Sequence, residues 1–226
     1  MSASDATPLV IPVGDTGPVS GLLLLPNDAR VLYVLAHGAG AGMRHPFLER
    51  IAAVLGERGV ATLRYQFLYM ERKQRRPDPP ATAVMVVQAA VAAAAGAAPG
   101  LPLIAGGKSF GGRMTSTAQA EAALPGVRGL VFFGFPLHPP GKPAVTRADH
   151  LDRIEVPMLF LQGDRDDFAE AILLRQVLRK LGRRATLHVV KDGDHSFGVP
   201  KRGGRTPEAV QAELADTLVQ WWESIA

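Results

Sequence analysis

The 226-residue chain has the length of one ordinary domain and is long enough to bury a full hydrophobic core. Hydrophobic residues make up 47% of it and charged residues 20%, a globular composition that excludes a chain disordered throughout. The chain has no cysteine, which excludes disulfides, thiolate metal sites and a cysteine nucleophile. We predict a single domain over residues 1–226.

The net charge of +4 is modest for a nucleic-acid-binding protein, and much of the basic excess lies in residues 72–76 and 201–205. Both segments are loop-like and have little aromatic interleaving. We interpret them as solvated loops and expect no nucleic-acid partner. Attraction of an anionic substrate is the alternative.

Two segments bear on where the protein resides. Residues 1–10, MSASDATPLV, lack the basic region and the long apolar core of a signal peptide. Residues 81–98 form the most apolar stretch, but it is rich in alanine and contains Gln88, which favours a buried helix over a membrane span. We therefore predict a cytoplasmic protein with no membrane partner.

Hydrophobic patterning predicts a hairpin followed by alternating strands and helices. The hairpin turns at residues 14–17, between strands at residues 9–12 and 19–25. Such an order predicts a mostly parallel sheet with helices on both faces and an antiparallel N-terminal hairpin. Residues 66–80 are predicted to be a polar loop. Further strands are predicted at residues 31–36, 60–65, 101–105, 127–133, 157–161 and 185–190, and helices at residues 47–58, 82–97, 110–124, 169–181 and 206–226.

A G-x-S-x-G pentapeptide, residues 107–111, lies between a predicted strand and a predicted helix. In that context the serine sits in a strained turn with its hydroxyl outward, and the flanking glycines allow strand and helix to approach. Ser109 is therefore the candidate nucleophile. The string also arises by chance, so this prediction depends on a base, an acid and an oxyanion loop elsewhere.

The candidate base and acid follow other strands, at the sheet edge where open α/β sheets carry their sites. His195 comes after the last strand and is the candidate base, although a surface-loop histidine is the alternative. Asp166 is the candidate carboxylate that orients the imidazole, because it can fold back toward the histidine loop. Asp164 and Asp167 are interpreted as turn or helix N-cap residues.

A glycine-rich segment, residues 37–42 with the sequence HGAGAG, follows the third predicted strand. We predict that the oxyanion of a tetrahedral intermediate is bound by the N–H groups of Phe110 and Ala39, with Gly40 as the second choice in this segment. A phosphate cradle is the alternative, but the segment has neither G-x-G-x-x-G spacing nor a G-K-[ST] ending. No metal site is predicted, because His37 and His45 lack further converging ligands.

Several side chains near these motifs are candidate substrate-binding residues. Core packing is the alternative for the apolar ones, and a salt bridge to a nearby acid is the alternative for the arginine. We expect His37 chiefly to order the oxyanion loop. Between residues 135 and 150 there is room for a short lid only, so we expect an open, shallow pocket. The candidates are His37, Tyr65, Phe67, Met70 and Arg113.

The order Ser109, Asp166, His195 resembles that of the α/β-hydrolases and differs from that of chymotrypsin or subtilisin. The chain is similar to that family over nearly its full length, and within it to the dienelactone-hydrolase-like branch. This resemblance implies the α/β-hydrolase fold and the triad. Residues 37–42, 65–70, 107–114 and 135–141 resemble more narrowly a subgroup of small hydrolase-like proteins related to a subunit of a eukaryotic histone-acetylating chromatin (nonspecific-lethal) complex.

The residue at the nucleophile position narrows the predicted chemistry. Dienelactone hydrolases resemble one another in a cysteine nucleophile, and dehalogenases and epoxide hydrolases of this fold use aspartate. Ser109 fits esters, thioesters or amides instead. We predict a carboxylesterase- or thioesterase-like serine hydrolase that cleaves small or short acyl esters without a cofactor. The alternatives are a non-catalytic protein-binding scaffold and an acyltransferase, and a homodimer is left open.

Overall fold

The computed structural model of the protein describes residues 6–200, 202 and 204–226. The first five residues of the segment inspected for a signal peptide lie outside the described residues, as do Lys201 and Gly203 of the second basic segment.

In the part of the chain that the structure describes, eight strands form one sheet in the order β1-β2-β4-β3-β5-β6-β7-β8. The β1–β2 and β2–β4 pairs are antiparallel and the remaining pairs are parallel. The predicted α/β-hydrolase fold is thereby confirmed. The strands are β1 (Thr7–Pro12), β2 (Pro18–Leu24), β3 (Val31–Ala36), β4 (Val60–Tyr65), β5 (Leu103–Lys108), β6 (Val127–Phe133), β7 (Met158–Gly163) and β8 (Ala185–Val190).

Helices cover both faces of this sheet, as the crossover connections of parallel strands require. The first and last helices pack on one face, where Phe47, Ile51, Leu214 and Trp221 join a common hydrophobic cluster. The third, fourth and fifth pack on the opposite face. The helices are α1 (Pro46–Gly56), α2 (Leu68–Glu71), α3 (Pro80–Ala97), α4 (Phe110–Glu121), α5 (Ala171–Leu181) and α6 (Pro207–Ile225).

Helix α3 is the apolar segment that was predicted to be buried. It is long and apolar enough to cross a membrane by length and composition, with a mean hydropathy of 1.6. In the fold it packs on the sheet and on α4, and Ala83, Val87, Ala90 and Val91 are buried in the core. The buried side chains of α3 are therefore part of the hydrophobic core of the domain.

The structure corrects two predictions of local structure. Strand β5 continues through Gly106 and Gly107 to Lys108, because these residues pair with Val131, Phe132 and Phe133 of β6 although glycine weakens the strand signal. The segment predicted as a polar loop, residues 66–80, contains the short helix α2. Leu68 and Tyr69 of α2 are buried, so tertiary packing holds this turn of helix.

The connection between β6 and β7 is short, as expected for a minimal lid. It contains a 3-10 helix, Thr146–Arg153, and it packs back on the α4 side of the sheet. Phe135, Leu137 and Leu151 in this connection are fully buried. The connection is thus part of the core and leaves the carboxyl ends of the strands uncovered on that side.

Candidate active site

Ser109 stands at a strained turn between β5 and α4. Its backbone has φ 48° and ψ −113°, a conformation that non-glycine residues rarely adopt outside functional sites. The turn is held by hydrogen bonds from the Ser109 N–H to Phe133 O (3.1 Å) and from the Arg113 N–H to Ser109 O (3.0 Å). This is the geometry expected of a nucleophile elbow.

The two glycines of the pentapeptide are required by close backbone contacts. A Cβ atom on Gly107 would lie 2.3 Å from Ala36 O, and one on Gly111 would lie 2.5 Å from His37 O. Gly107 also has a φ of 150°. The elbow can therefore sit directly against the end of β3 only because both positions lack a side chain.

Ser109, His195 and Asp166 form a continuous hydrogen-bonded chain. His195 Nε2 is 2.9 Å from Ser109 Oγ, and His195 Nδ1 is 2.9 and 2.8 Å from the two oxygens of Asp166. A carboxylate only accepts hydrogen bonds, so Nδ1 donates to it and Nε2 is left to accept the serine proton. The side chain of Asp166 is fully buried and that of His195 is 19% exposed.

Two further groups hold the Asp166 carboxylate in place. The Phe168 N–H donates to Oδ1 at 2.8 Å, and Gln162 Nε2 donates to Oδ2. Gln162 in turn accepts from the Phe135 N–H at 2.9 Å. Asp164 and Asp167 are exposed. The N-cap position of α5 is occupied by Glu170, so neither exposed aspartate caps that helix and both remain turn residues.

In the glycine-rich loop after β3, two consecutive N–H groups differ in whether they are already hydrogen-bonded. The Gly40 N–H donates to the Tyr69 hydroxyl at 2.8 Å, so the prediction of Gly40 as an oxyanion donor is wrong. Among the described residues, the N–H groups of Ala39 and Phe110 have no hydrogen-bond acceptor. Both are therefore available to donate to a developing oxyanion.

A cavity of about 530 Å³ opens beside Ser109 and His195, on the side of α1 and α6. Its volume lies in the range of small-molecule sites. Phe168 stacks on the His195 ring with the centroids 4.1 Å apart, and Phe197 stacks on Phe47 at 5.7 Å. The apolar walls are formed by Phe47, Leu48, Phe168, Phe197 and Val210, and the polar or charged lining side chains include His45, Arg50, Lys108 and Gln211.

Sequence comparison decides the family. Residues 29–223 match the alpha/beta hydrolase domain family. The chain belongs to this family. The chain is also similar to solved structures of hydrolases, and these likenesses, at 21% identity or less, are likenesses of fold.

Three solved structures illustrate how completely the hydrolase fold is shared. A dienelactone hydrolase from Anabaena variabilis is 20% identical, with 98% of each chain covered and a TM-score of 0.76. An α/β serine hydrolase without a lid from Xanthomonas campestris is 21% identical, with 96% of this chain and 95% of that chain covered and a TM-score of 0.74. Est1E from Butyrivibrio proteoclasticus, solved with ferulic acid bound, is 16% identical, with 94% and 98% covered and a TM-score of 0.72.

Four residues predicted to bind substrate do not line the cavity of this hydrolase. Tyr65 and Phe67 are fully buried in the hydrophobic core, so their prediction as pocket walls is wrong. Met70 packs under the glycine-rich loop at Gly42, and the Arg113 guanidinium lies over the Phe110 ring at 6.0 Å. The physical reason for Phe67 and Met70 is that the chain after β4 packs against the glycine-rich loop, whereas Tyr65 belongs to the buried strand β4 and Arg113 to α4.

His37 orders the oxyanion loop of the hydrolase from a fully buried position. Its Nε2 accepts from the Phe67 N–H at 3.2 Å, so its Nδ1 carries the proton and donates to Gly38 O at 2.7 Å. The ring packs edge-on against the Phe67 ring at 5.0 Å. His37 thus fixes the direction in which the neighbouring Ala39 N–H points, and it does not face the cavity.

Acid should destabilise the hydrolase through His37. Burial lowers the pKa of His37 from 6.5 to about 4, so the folded protein keeps the ring neutral where the unfolded chain already takes up a proton. Above pH 6.5 the neutral His37 ring makes its full contribution to the free energy of unfolding. That contribution, at most about 3 kcal/mol, is lost as the pH falls to about 4. Urea unfolding at pH 7 and pH 4.5 should therefore show a smaller pH difference for His37→Gln than for the wild type.

A second serine–histidine pair lies outside the cavity of the hydrolase. Ser116 Oγ is 2.7 Å from His150 Nε2, but Ser116 is fully buried and its hydroxyl donates to Arg113 O at 2.8 Å. Its proton is therefore committed to a backbone carbonyl, and the pair joins α4 to the 3-10 helix. Burial, with Arg113 and Arg153 nearby, lowers the pKa of His150 to about 4.

The residues that sequence reasoning missed carried a weak signal in each case. Gln162 is a polar residue inside an otherwise apolar strand, and it binds the catalytic candidate Asp166. Phe168 and Phe197 are aromatic residues two positions after Asp166 and His195, in otherwise polar loops. Within the described ranges, no group of three or more His, Asp or Glu side chains is arranged to hold a metal ion.

Proposed function

We propose that this α/β-hydrolase is a serine esterase or thioesterase that works through an acyl-enzyme on Ser109. The observation that carries the proposal is the unbroken hydrogen-bonded chain from Ser109 Oγ through His195 to the buried Asp166. A serine hydroxyl needs a base within hydrogen-bond reach to act as a nucleophile, and this chain supplies one with its tautomer fixed.

The proposed reaction follows from these contacts. Ser109 Oγ attacks the acyl carbon while its proton passes to His195 Nε2, and Asp166 stabilises the imidazolium that forms. The negative charge that develops on the carbonyl oxygen is bound by the N–H groups of Ala39 and Phe110, which have no competing acceptor among the described residues. His195 then protonates the leaving alcohol or thiol, and water releases the acid by the same steps in reverse.

The cavity supports a substrate with an apolar group of moderate size. Aromatic and aliphatic side chains form its walls, and its volume of about 530 Å³ exceeds what an acetyl group alone would fill. We therefore extend the predicted class from short acyl esters to esters whose acyl group is a medium aliphatic chain or an aromatic ring. Because the structural neighbour Est1E was solved with ferulic acid bound, an ester of an aromatic acid is included among the substrates to be tested.

A fluorophosphonate probe and a matched ester panel test this proposal. The wild type should react with one equivalent of probe, at the peptide that contains Ser109. Among 4-nitrophenyl esters, kcat/KM should be highest for butyryl to octanoyl and benzoyl groups and lower for palmitoyl, because the open cavity gives a long chain little further contact. Heat-unfolded protein is the control for nonspecific labelling, and a folded wild type that does not react would overturn the proposal.

The acceptor of the acyl group, the location of the protein and its partners are part of the same proposal. Hydrolysis is the proposed reaction, and adding a small alcohol or thiol to the assay would reveal transfer to another acceptor. A cytoplasmic location and a small-molecule ester as the partner are proposed with it, and a homodimer stays open. The narrower resemblance to the chromatin-related subgroup becomes the leading alternative only if the folded protein does not react, since the fold would then serve as a binding surface.

A further inference from the structure

Lys108, the residue before the candidate nucleophile, extends its side chain toward the histidine loop. Its Nζ donates to His195 O at 2.5 Å and lies 5.6 Å from the centroid of the Phe197 ring. Its aliphatic stem passes Gly38, where an added Cβ would lie 3.6 Å from Lys108 Cγ. One side chain therefore touches both the oxyanion loop and the loop that carries the base.

Gly134, at the end of β6, makes room for this contact. A Cβ on Gly134 would lie 3.0 Å from Lys108 Nζ, 3.3 Å from His195 O and 3.4 Å from Asp166 Oδ2. These three atoms thus converge on one point beneath the triad. Burying an ammonium at this point costs desolvation energy, which a hydrogen-bond acceptor and an opposite charge can offset. The His195 carbonyl is that acceptor, and Asp166 carries that charge.

We propose that Lys108 is a positioning residue for His195: its ammonium anchors the histidine loop through the His195 carbonyl and so holds the imidazole in place against Ser109. The inference rests on the proposed function, because it assigns Lys108 a role in presenting the base to Ser109. Ser109 and Lys108 are adjacent in β5 and the elbow, so the same strand end presents the nucleophile and holds the base that activates it.

The Lys108 ammonium keeps its charge in this buried position. Burial lowers the pKa of Lys108 to about 8, against the opposite pull of the Asp166 and Asp194 carboxylates. The ammonium is therefore mostly charged at neutral pH and can donate to the His195 carbonyl.

Lys108→Met tests the proposal, because methionine keeps the length and the apolar stem but removes the charge and the donor. We expect kcat for the best ester to fall by about 10- to 100-fold with little change in KM, since the base is misplaced while the cavity is kept. Lys180→Met, which removes the same charge from an exposed position of α5, should change neither value.

Restoring the ammonium separates positioning from a simple packing role. The chain has no cysteine, so Lys108→Cys introduces a single thiol. Its thiolate displaces bromide from 2-bromoethylamine and gives a side chain of lysine length that ends in an ammonium; the reaction is run on unfolded protein, which is then refolded. This product should regain most of kcat, whereas alkylation with iodoacetamide, which adds a neutral amide, should not.

The effect of Lys108 on His195 can also be read without any substrate. The His195 Nδ1 proton, which is donated to Asp166, gives a proton NMR signal that His195→Gln removes and so assigns. This signal should be shifted or broadened in Lys108→Met relative to the wild type even if the protein proves unreactive toward esters, so failure of the proposed function and failure of this inference are distinguishable. A folded Lys108→Met with an unchanged Nδ1 proton signal, or an aminoethylated product no better than the amide control, would overturn the inference.

Discussion

Ser109→Ala should abolish fluorophosphonate labelling and lower kcat for ester hydrolysis by at least about 10⁴-fold. The reason is that the hydroxyl supplies the oxygen that forms the acyl-enzyme, and no other side chain among the described residues is hydrogen-bonded to His195 Nε2. The fold should be unaffected, because alanine can occupy the same turn at least as easily as serine. Circular dichroism and the urea midpoint should confirm this in the same preparations.

Ser116→Ala is the matched control for that measurement. It removes a serine hydroxyl that is also hydrogen-bonded to a histidine, 2.7 Å from His150 Nε2, but at a buried position away from the cavity. Labelling and kcat should remain at the wild-type level, with a loss of stability on the order of 1 kcal/mol from the missing hydrogen bonds. If labelling persisted in Ser109→Ala and disappeared in Ser116→Ala, the assignment of the nucleophile would be wrong.

Gly106→Ala should cost more than about 4 kcal/mol of stability, enough to unfold many domains of this size. Gly106 has a φ of 149°, and a Cβ there would lie 1.9 Å from Val131 O and 2.8 Å from Val131 C. Val131 belongs to the central strand β6, where neighbours on both sides prevent it from moving away. We expect little soluble folded protein, or a urea midpoint far below that of the wild type.

Gly96→Ala is the counterpart with the opposite expected sign. Gly96 is exposed in the last turn of α3, and nothing lies within 4 Å of the Cβ that alanine would add. Because alanine is the better helix former, this variant should be more stable than the wild type by up to about 1 kcal/mol. Equal urea midpoints for Gly106→Ala and the wild type would contradict the close packing of β5 against β6.

The candidate site draws on loops that follow five different strands. The elbow follows β5, the oxyanion loop follows β3, Gly134 follows β6, and the acid and the base follow β7 and β8. Parallel strands bring their carboxyl ends to one edge, so residues far apart in the chain meet there. Lys108 connects several of these loops directly, and this is why its removal is expected to disturb catalysis more than binding.

Local patterns in the sequence determined the fold class and the candidate triad. The bounds of β3, β4, β6 and β8 were predicted to the residue, since short runs rich in apolar and β-branched residues that end at turn residues are typical of strands. The choice of Asp166 over its neighbours followed from its distance of two to three residues past the turn glycine, from which it can fold back toward the histidine loop, and the structure brings it to His195. These features depend on short-range periodicity and on the edge at which parallel strands end, which a sequence displays directly.

Tertiary structure alone decided which side of the triad holds the cavity and which N–H groups remain available. Tyr65 and Phe67 are aromatic residues of the kind that line pockets, but the fold buries both in the hydrophobic core. Gly40 is small and flexible, as a residue of an oxyanion loop should be, but its N–H donates to the Tyr69 hydroxyl. The physical reason is that periodicity marks a residue as apolar or flexible, whereas the identity of its partner depends on elements distant in the chain that the fold packs against it.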